Sequence, residues 1–470
     1  MLVADGNRML RFIYEAGIID FQKFQKSKSA QNFVEAGLIV STQVLDQVAL
    51  AKQHTDMMVR NLSNDSRVVA VLGHERLPFP SYPYEWSPAM LFAAAELTLD
   101  LVERLLDDGI GLKDATPYNI IFRGPKPVFV DILSFEARAT DDPIWLPHAQ
   151  FMRTFYLPLL VNSKFGISLA QLFLTKRDGI EPEEVYMLCS SIQKFLSPFL
   201  FQVSIPVWLS SSQRCKSGDI YLKSRVDDSE KAKFILKSLL ARLRNSLNDI
   251  APKRAKSSVW SSYMDSHSYS DDQFRAKNEF VEELLKINRP ASVLDVGCNT
   301  GFFSAIAARN GARVTAIDYD PAVIDNVWRM AEREELDILP LVVNLGRPSP
   351  AVGWLNQECA SFIARAIGAF DAVIMLAVVH HMLVTDQIPL DEIIDLAAQM
   401  TNDLLIVEFV SPQDSMFKKI ARGRGHLYEG VNQEAFEISC QRHFYIIQSL
   451  QIDGTQRKLY AMKKKDVPRL

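Results

Sequence analysis

Two carboxylates and two glycines stand at spacings that indicate a small-molecule site in the second half of the chain. They occur in VLDVGCNTGFFSAIAARNGARVTAIDYD, residues 293–320, where Asp295 and Asp318 each lie at the end of an apolar, strand-like run. Open α/β sheets bind ligands at these carboxyl ends of their strands. Gly297 and Gly301 bracket the turn into the next helix, where a backbone without Cβ atoms approaches a ligand closely.

The glycine spacing narrows the kind of ligand. A dinucleotide site normally shows G-x-G-x-x-G, in which the third glycine allows tight helix packing. Here the spacing is G-x-x-x-G and residue 302 is Phe, which disfavours a pyrophosphate site. Asp318 follows Asp295 by 23 residues, where a carboxylate accepts both hydroxyls of an adenosine ribose. The pattern indicates a nucleoside ligand, with NAD at the same place in the sheet as the alternative.

This segment resembles the class I S-adenosylmethionine-dependent methyltransferases. The residues that carry the resemblance are DVGCNTG, residues 295–301, and AIDYD, residues 316–320. The resemblance implies S-adenosyl-L-methionine as cofactor, with the first acid and the glycine loop at its methionine moiety and the second acid at its ribose. It also places Asn344 where the family often has an acid against the adenine amine, and an amide oxygen accepts the same hydrogen bond. The implied cofactor-binding residues are Asp295, Gly297, Cys298, Asn299, Gly301, Asp318, Tyr319, Asn344 and Leu376.

Candidate catalytic residues follow two later strand-like runs. His380 and His381 come directly after the apolar run of FDAVIMLAVVHHM, at the end that faces the transferred methyl group in the family. A histidine near neutral pH removes a proton from an attacking hydroxyl, amine or acid, although an imidazole that only packs against a helix is the alternative. Glu408, in LLIVEFV, is a second candidate for a base or a substrate contact. Tyr263 and Tyr269 precede this region and either close over the cofactor or lie at the surface.

A basic segment follows the last of these runs. FKKIARGRGH, residues 417–426, brings four Lys and Arg together after the fifth strand-like run. It is expected either to bind an anionic or sugar-bearing substrate or to form a mobile, solvated loop.

The surrounding pattern predicts the elements that position these residues. Strand-like and helical segments alternate after residue 290, and the continuous apolar runs predict a parallel sheet covered on both faces. Asp453-Gly454 predicts a terminal antiparallel hairpin. The fold class is therefore α/β, a Rossmann-like doubly wound, mostly parallel sheet with that hairpin. The predicted strands are Ser292–Val296, Arg313–Ile317, Leu341–Asn344, Ala372–Leu376, Leu404–Phe409, His443–Leu450 and Arg457–Met462, and the predicted helices include Phe302–Asn310 and Ala322–Arg333.

The first half carries a different motif. LKDATPYNIIFRGPKPVFVDILSF, residues 112–135, resembles the catalytic and metal-binding loops of protein-kinase-like and aminoglycoside-phosphotransferase-like enzymes at Asp114, Asn119 and Asp131. The upstream sequence lacks a glycine-rich loop followed by a strand lysine, and D-I-L-S replaces a D-F-G-type sequence. The resemblance implies a degenerate lobe that serves as a scaffold or substrate platform. A coincidental match and an active phosphotransferase are the alternatives.

Composition indicates where the two domains meet, in which cellular compartment the protein lies and which partners are disfavoured. The composition shifts at 225–256, where an amphipathic helix with Phe234 on its apolar face precedes a basic, proline-containing stretch. We therefore expect a mainly helical α+β domain over 1–250 and a methyltransferase domain over 251–470.

Charge and cysteine content bear on partners and compartment. With 52 Lys and Arg against 56 Asp and Glu, the chain has no overall positive electrostatic field that would favour nucleic acid binding. Five scattered cysteines without a CxxC pair predict neither disulfides nor a metal site, and we expect a cytoplasmic protein.

Membrane insertion is not expected either. Residues 195–213, FLSPFLFQVSIPVWLSSSQ, carry no charge, but two prolines and five serines interrupt the run. A buried helix end followed by a strand is the preferred interpretation.

The functional expectation is a methyltransferase whose N-terminal domain aids recognition of an unidentified methyl acceptor. SYPYEW, LKDATPYN, PSPAVGW and AVVHHM are similar to an uncharacterised bacterial group that includes nodulation proteins, which implies a signal glycolipid as substrate. A non-catalytic binding protein with a vestigial cofactor pocket and a bifunctional protein with phosphotransferase activity are the alternatives. The sequence leaves the oligomeric state open.

Overall fold

The fold is that of a computed structural model. It describes residues 2–213, 226–253 and 269–465. Contacts divide the chain into two compact units. The first comprises Met1–Tyr84 and Pro88–Lys253, and the second comprises Glu85–Ser87 and Arg254–Leu470.

The first unit is mainly helical and contains three small sheets in its described part. Strands β1, β2, β4 and β3 form an antiparallel sheet in that order, while β5 pairs with β8 and β6 pairs with β7. In chain order its elements are β1 (Leu2–Asp5), β2 (Arg8–Tyr14), α1 (Glu15–Lys26), α2 (Lys28–Glu35), β3 (Thr42–Leu45), α3 (Gln47–Gln53), α4 (Met57–Ser63), β4 (Val68–Glu75), α5 (Pro88–Leu105), β5 (Ile110–Leu112), β6 (Ile120–Arg123), β7 (Lys126–Phe129), β8 (Phe135–Ala137), α6 (His148–Phe151), α7 (Leu157–Phe165), α8 (Leu169–Thr175), α9 (Pro182–Leu188), α10 (Ile205–Gln213) and α11 (Ser229–Asp249).

The second unit is built on one seven-stranded sheet, counted over its described residues. The strand order is β11-β10-β9-β12-β13-β15-β14, and β15 runs antiparallel to both of its neighbours. In chain order its elements are α12 (Asp271–Asn288), β9 (Ser292–Val296), α13 (Phe302–Arg309), β10 (Arg313–Asp318), α14 (Pro321–Arg333), β11 (Ile338–Val342), α15 (Phe362–Ala366), β12 (Phe370–Met375), α16 (Val379–Val384), α17 (Leu390–Met400), β13 (Thr401–Val410), α18 (Ser415–Ala421), α19 (Gln433–Gln441), β14 (Phe444–Gln451) and β15 (Arg457–Lys464).

This topology confirms the predicted Rossmann-like, doubly wound sheet with its terminal hairpin. Strand β9 lies between β10 and β12, so the direction of strand progression reverses there. All residues of β9 from 293 to 296 are buried, as are those of β12 from 372 to 375. Burial of successive residues means that helices cover both faces, as the continuous apolar runs predicted. The reversal beside β9 is the place where such sheets bind ligands.

The bounds predicted for strand β11 from the sequence are wrong. The prediction placed it at 341–344, whereas the strand covers Ile338–Val342 and includes Pro340. Because β11 is an edge strand, the missing N–H of a proline there costs no ladder hydrogen bond. Asn344 therefore lies beyond the strand end.

Two other predictions for the first unit are wrong in detail. The uncharged run before residue 214 is helical over Leu200–Ser204 and Ile205–Gln213, so it contains no strand. Phe234 lies on the exposed side of α11, since Ala232, Leu236 and Leu240 form its buried face. No helix within the described residues is both long and apolar enough to cross a membrane.

Candidate cofactor and methyl-transfer site

The turn between β9 and α13 takes a shape that its two glycines permit. Gly297 and Gly301 have φ values of +68° and +76°. A Cβ atom on Gly297 would lie 2.5 Å from Val378 Cγ2, and one on Gly301 would lie 3.0 Å from both γ-methyl groups of Val327. Any larger residue therefore displaces the turn from its neighbours.

Asn299, in the same turn, has a left-handed backbone conformation and a buried side-chain oxygen. Its φ is +47°, and its Oδ1 atom is buried without a hydrogen-bond partner in the described part of the chain. A buried acceptor without a partner is costly unless a ligand supplies the donor. This turn fits a bound cofactor, because it offers an open backbone and an unmet hydrogen-bonding group.

Asp318 is held in place by backbone amides at the end of β10. Its Oδ2 accepts from the Asn299 N–H at 3.2 Å, and its Oδ1 accepts from the Asp320 N–H at 3.0 Å. Burial raises the pKa of Asp318 from its ordinary value, and these backbone hydrogen bonds act against that rise. Each oxygen keeps a second lone pair, so the carboxylate can still accept two ribose hydroxyls.

Asp295 is a buried carboxyl that Ser304 restrains. Ser304 Oγ donates to Asp295 Oδ2 at 2.5 Å, and Asp295 is 3% exposed. Burial raises its pKa to about 6, and the charge of Asp318 adds to the rise. The hydrogen bond from Ser304 opposes both effects.

The remaining residues implied for cofactor binding differ in their environments. Cys298 and Leu376 are buried, and Tyr319 is exposed. Burial raises the pKa of the Cys298 thiol well above its ordinary value, so this thiol stays protonated at neutral pH. Asn344 Oδ1 accepts from the Gly346 N–H at 2.8 Å and stabilises the turn after β11.

The two candidate histidines lie in the first turn of helix α16, which begins at Val379. His380 is 3% exposed, and neither of its ring nitrogens has a hydrogen-bond partner within the described residues. Its ring lies 4.4 Å from that of His381 and 6.4 Å from that of Phe417, centroid to centroid. Burial holds the pKa of His380 well below its ordinary value, and the nearby charges of Arg457 and Lys277 lower it further. The imidazole of His380 is therefore neutral at physiological pH.

Glu408 lies at the centre of a buried ionic network. Its Oε2 accepts from Lys277 Nζ at 2.5 Å, and its Oε1 accepts from the hydroxyl of Tyr269. Arg457 Nη1 donates to the same hydroxyl at 2.9 Å, and Arg457 Nε donates to Asp414 at 2.9 Å. Opposing the effect of burial, Lys277 and Arg457 lower the pKa of Glu408, so the carboxylate stays ionised. We call these five residues the ionic network.

Three members of the ionic network were not anticipated from the sequence, although it contains signals for two of them. Lys277 lies on the apolar face of α12 with Phe280 and Val281. Arg457 shares the buried face of β15 with Leu459. A charged residue at an apolar position of an amphipathic helix or strand indicates a buried, paired charge. Asp414 gives no comparable signal. Tyr263 lies outside the described residues.

The motif of the first unit forms a separate hydrogen-bonded cluster. Arg11 Nη1 donates to Asp131 Oδ1 at 2.5 Å, and Ser134 Oγ donates to Asp131 Oδ2 at 2.6 Å. Asn119 Nδ2 donates to Ser134 Oγ at 3.2 Å and to the Asp114 carbonyl at 3.4 Å. A guanidinium therefore already neutralises Asp131, which does not fit a magnesium site. Within the described ranges no three His, Cys, Asp or Glu side chains are placed to hold a metal ion.

Comparison with known proteins identifies the family. A family model described as a methyltransferase domain matches residues 269–450. The nodulation protein NoeA of Rhizobium meliloti (strain 1021) is 32% identical over 400 residues, which cover 85% of this chain and 83% of NoeA. The chain belongs to the NoeA family. The predicted resemblance to a bacterial group with nodulation proteins is confirmed.

Two further matches concern parts of the chain. The O-antigen chain terminator bifunctional methyltransferase/kinase WbdD of Escherichia coli is 34% identical over 97 residues, 21% of this chain and 12% of WbdD. The N-methyltransferase NodS from Bradyrhizobium japonicum WM9, solved in complex with S-adenosyl-l-homocysteine, is 15% identical with a TM-score of 0.31 and covers 44% of this chain and 98% of NodS. The C-terminal unit of this NoeA-family protein is an S-adenosylmethionine-dependent methyltransferase domain, as predicted.

Proposed function

We propose that the turn at 297–301 holds the methionine moiety of S-adenosylmethionine, that Asp318 binds its ribose, and that His380 accepts the proton released by the methyl acceptor. The observation that carries this proposal is the unmet Oδ1 of Asn299 in a glycine turn beside a carboxylate that two backbone amides orient. Asn344 and Leu376 are proposed to line the remainder of the pocket. When bound, the cofactor supplies a methyl group on a sulfonium sulfur.

The role proposed for His380 follows from its position and from its two ring nitrogens, which have no hydrogen-bond partner within the described residues. One of these nitrogens can therefore accept a hydrogen bond from an O–H or N–H group of the methyl acceptor. The lowered pKa makes this imidazole a weak base, but an oxygen or nitrogen that has been methylated while it still holds its proton is strongly acidic, and a neutral imidazole can take that proton. It follows Val378, whose side chain packs over Gly297, so it belongs to the same end of the sheet. Glu408 is proposed as a positioning residue, because Lys277 and Tyr269 already donate to its two carboxylate oxygens.

The biological setting of the methylation is also a proposal. NoeA is named a nodulation protein, which supports a methyl acceptor involved in nodulation. The first unit is proposed to aid substrate recognition rather than to transfer a phosphoryl group. The guanidinium of Arg11 already neutralises Asp131 of its phosphotransferase-like motif, which disfavours a magnesium ion there.

A transfer assay tests the enzymatic part of this proposal. The purified full chain is incubated with bacterial extract and S-adenosylmethionine labelled in its methyl group. We expect His380→Gln to lower the rate of label transfer by about 10²-fold while the affinity for S-adenosylhomocysteine stays within about twofold, because only proton transfer is lost.

His443→Gln is the matched control, because His443 precedes the edge strand β14, outside the proposed site, and pairs with Asp395 at 2.6 Å. Equal rates for wild type and His380→Gln would contradict the proton-transfer role. Label incorporation into no component of the extract would favour a vestigial cofactor pocket.

A further inference from the structure

A concentrated positive charge lies beside the proposed methyl-transfer site. Residues 415–428, here called the basic segment, contain Lys418, Lys419, Arg422 and Arg424 and no acidic residue. All four side chains are exposed. The chain as a whole is slightly acidic, with a formal net charge of −4, so this segment differs from its surroundings.

These charges are not neutralised by Asp414 or Glu429, the acids that flank the basic segment. Asp414 precedes the basic segment, but its two carboxylate oxygens accept from Arg457 Nε at 2.9 Å and from Arg457 Nη2 at 3.2 Å. None of the four basic side chains forms an ion pair with any residue in the described part of the chain. They are thus available to an external anion.

Helix stability does not explain the arrangement. Cations near the C-terminus of α18 interact favourably with the helix dipole. Lys418 and Arg422, however, stand four residues apart, where like charges repel each other. Arg422 also has a φ of +48° at the end of the helix, a position that glycine occupies without strain. Arg424 lies beyond the helix, so the dipole does not account for it.

The basic segment is fixed to the reaction end of the sheet. Phe417, adjacent to Lys418, is buried, and its ring lies 6.4 Å from the ring of His380 with an interplanar angle of 25°. Asp414 caps α18 by accepting from the Met416 N–H at 2.8 Å and is itself bound by Arg457 of the ionic network. Lys418 and Lys419 therefore lie within one helical turn of Phe417, whose ring faces that of the proposed proton acceptor. Arg422 and Arg424 follow at the end of the helix and beyond it.

We propose that the basic segment binds an anionic group, such as a phosphate, sulfate or carboxylate, carried by the methyl acceptor. This inference rests on the proposed function, because it assigns the anion to the molecule that is methylated at His380. Arginine and lysine in this pattern pair with oxyanions through charge-assisted hydrogen bonds. One short segment on a chain of net negative charge is too limited a surface for an extended polyanion.

The experiment compares two double charge reversals in the full chain. K418E/R422E reverses the basic segment, and R289E/R313E is the matched control at the amino ends of the strands. Arg289 and Arg313 are exposed, and Arg289 has a φ of +43°, so the control includes an arginine in the same backbone conformation. Pyrophosphate, sulfate and citrate are titrated at constant ionic strength, and S-adenosylhomocysteine is titrated alongside.

We expect wild type and R289E/R313E to bind at least one of these three anions, and K418E/R422E to bind it at least about tenfold more weakly. The anion that binds tightest distinguishes a phosphate, a sulfate and a carboxylate group. Label transfer from S-adenosylmethionine in bacterial extract should fall in K418E/R422E alone, while its affinity for S-adenosylhomocysteine stays unchanged.

Two outcomes would overturn the inference. One is equal anion binding by all three proteins. The other is binding of duplex DNA or anionic phospholipid vesicles through the basic segment with unchanged label transfer in K418E/R422E. A wild type that does not bind S-adenosylhomocysteine would instead contradict the proposed function itself.

Discussion

Asp295 is a buried carboxyl whose charged form costs the folded protein stability. Its folded pKa of about 6 lies well above the ordinary value of about 3.8, since the charged form is desolvated. Between these two values the folded state binds a proton that the unfolded state has lost. Ionised Asp295 thus destabilises the folded protein, and the penalty is complete above pH 6 and absent below pH 4.

Asp295→Asn should remove this pH dependence. At pH 7.5 the variant is expected to melt at a higher temperature than wild type, because a neutral amide replaces a buried charge whose cost amounts to about 3 kcal/mol. At pH 4 the two proteins should melt at nearly the same temperature. Differential scanning calorimetry at both pH values measures the difference.

Asp371→Asn is the control, because Asp371 is a carboxylate of the same unit that lies at the amino ends of the strands. An Asp295→Asn variant less stable than wild type at pH 7.5 would show that the ionised carboxylate contributes more through hydrogen bonds than burial costs.

At the residue scale the sequence predicted where site residues lie in the sheet better than it predicted which side chains they contact. Asp295, Gly297 and Asp318 lie at strand ends where the spacing put them. Ser304 was missed as the partner of Asp295, because its contact depends on how the first turns of α13 pack against β9. A single sequence gives strand ends through hydrophobic runs, whereas side-chain pairing depends on tertiary packing.

At the scale of elements the ionic network connects a helix and two strands. Lys277 belongs to α12, Glu408 to β13 and Arg457 to β15, and all three are buried. A buried charge that loses its partner keeps the desolvation cost without compensation. The network therefore determines how α12 is placed against the carboxyl end of β13.

Lys277→Met should destabilise the protein by about 3–5 kcal/mol, because it leaves Glu408 ionised and buried beside fewer positive groups. Lys286→Met on the same helix is the matched control. Lys286 pairs with Glu282 at 2.7 Å, but its side chain is 58% exposed, so we expect a loss below about 1 kcal/mol.

Chemical denaturation followed by circular dichroism measures both losses. Equal losses for the two variants would show that the ionic network contributes no more than a surface ion pair.

Most helices and strands were predictable from the sequence, and the errors fall in short apolar runs. The strands of the second unit were found because parallel strands buried on both faces read as continuous apolar runs. Strand β11 was displaced because Pro340 interrupts its apolar run. Helix α10 was predicted to be a strand because a short apolar run has no periodicity that separates the two states.

At the scale of the whole molecule the two units differ in what their residues can do. The second unit carries an unmet acceptor at Asn299 and a neutral imidazole at His380, both in positions suited to a ligand. In the first unit the hydrogen bonds of Arg11 and Ser134 satisfy both oxygens of Asp131. This contrast favours methyl transfer as the chemistry of the chain.

Calorimetric titration of the full chain with S-adenosylhomocysteine tests this claim most directly. We predict one binding site, which Asp318→Ala weakens by about 10²-fold because two charge-assisted hydrogen bonds to the ribose are lost, while the exposed-carboxylate control Glu332→Ala binds as wild type does. Absence of binding by the wild type, or equal affinity of wild type and Asp318→Ala, would contradict the account.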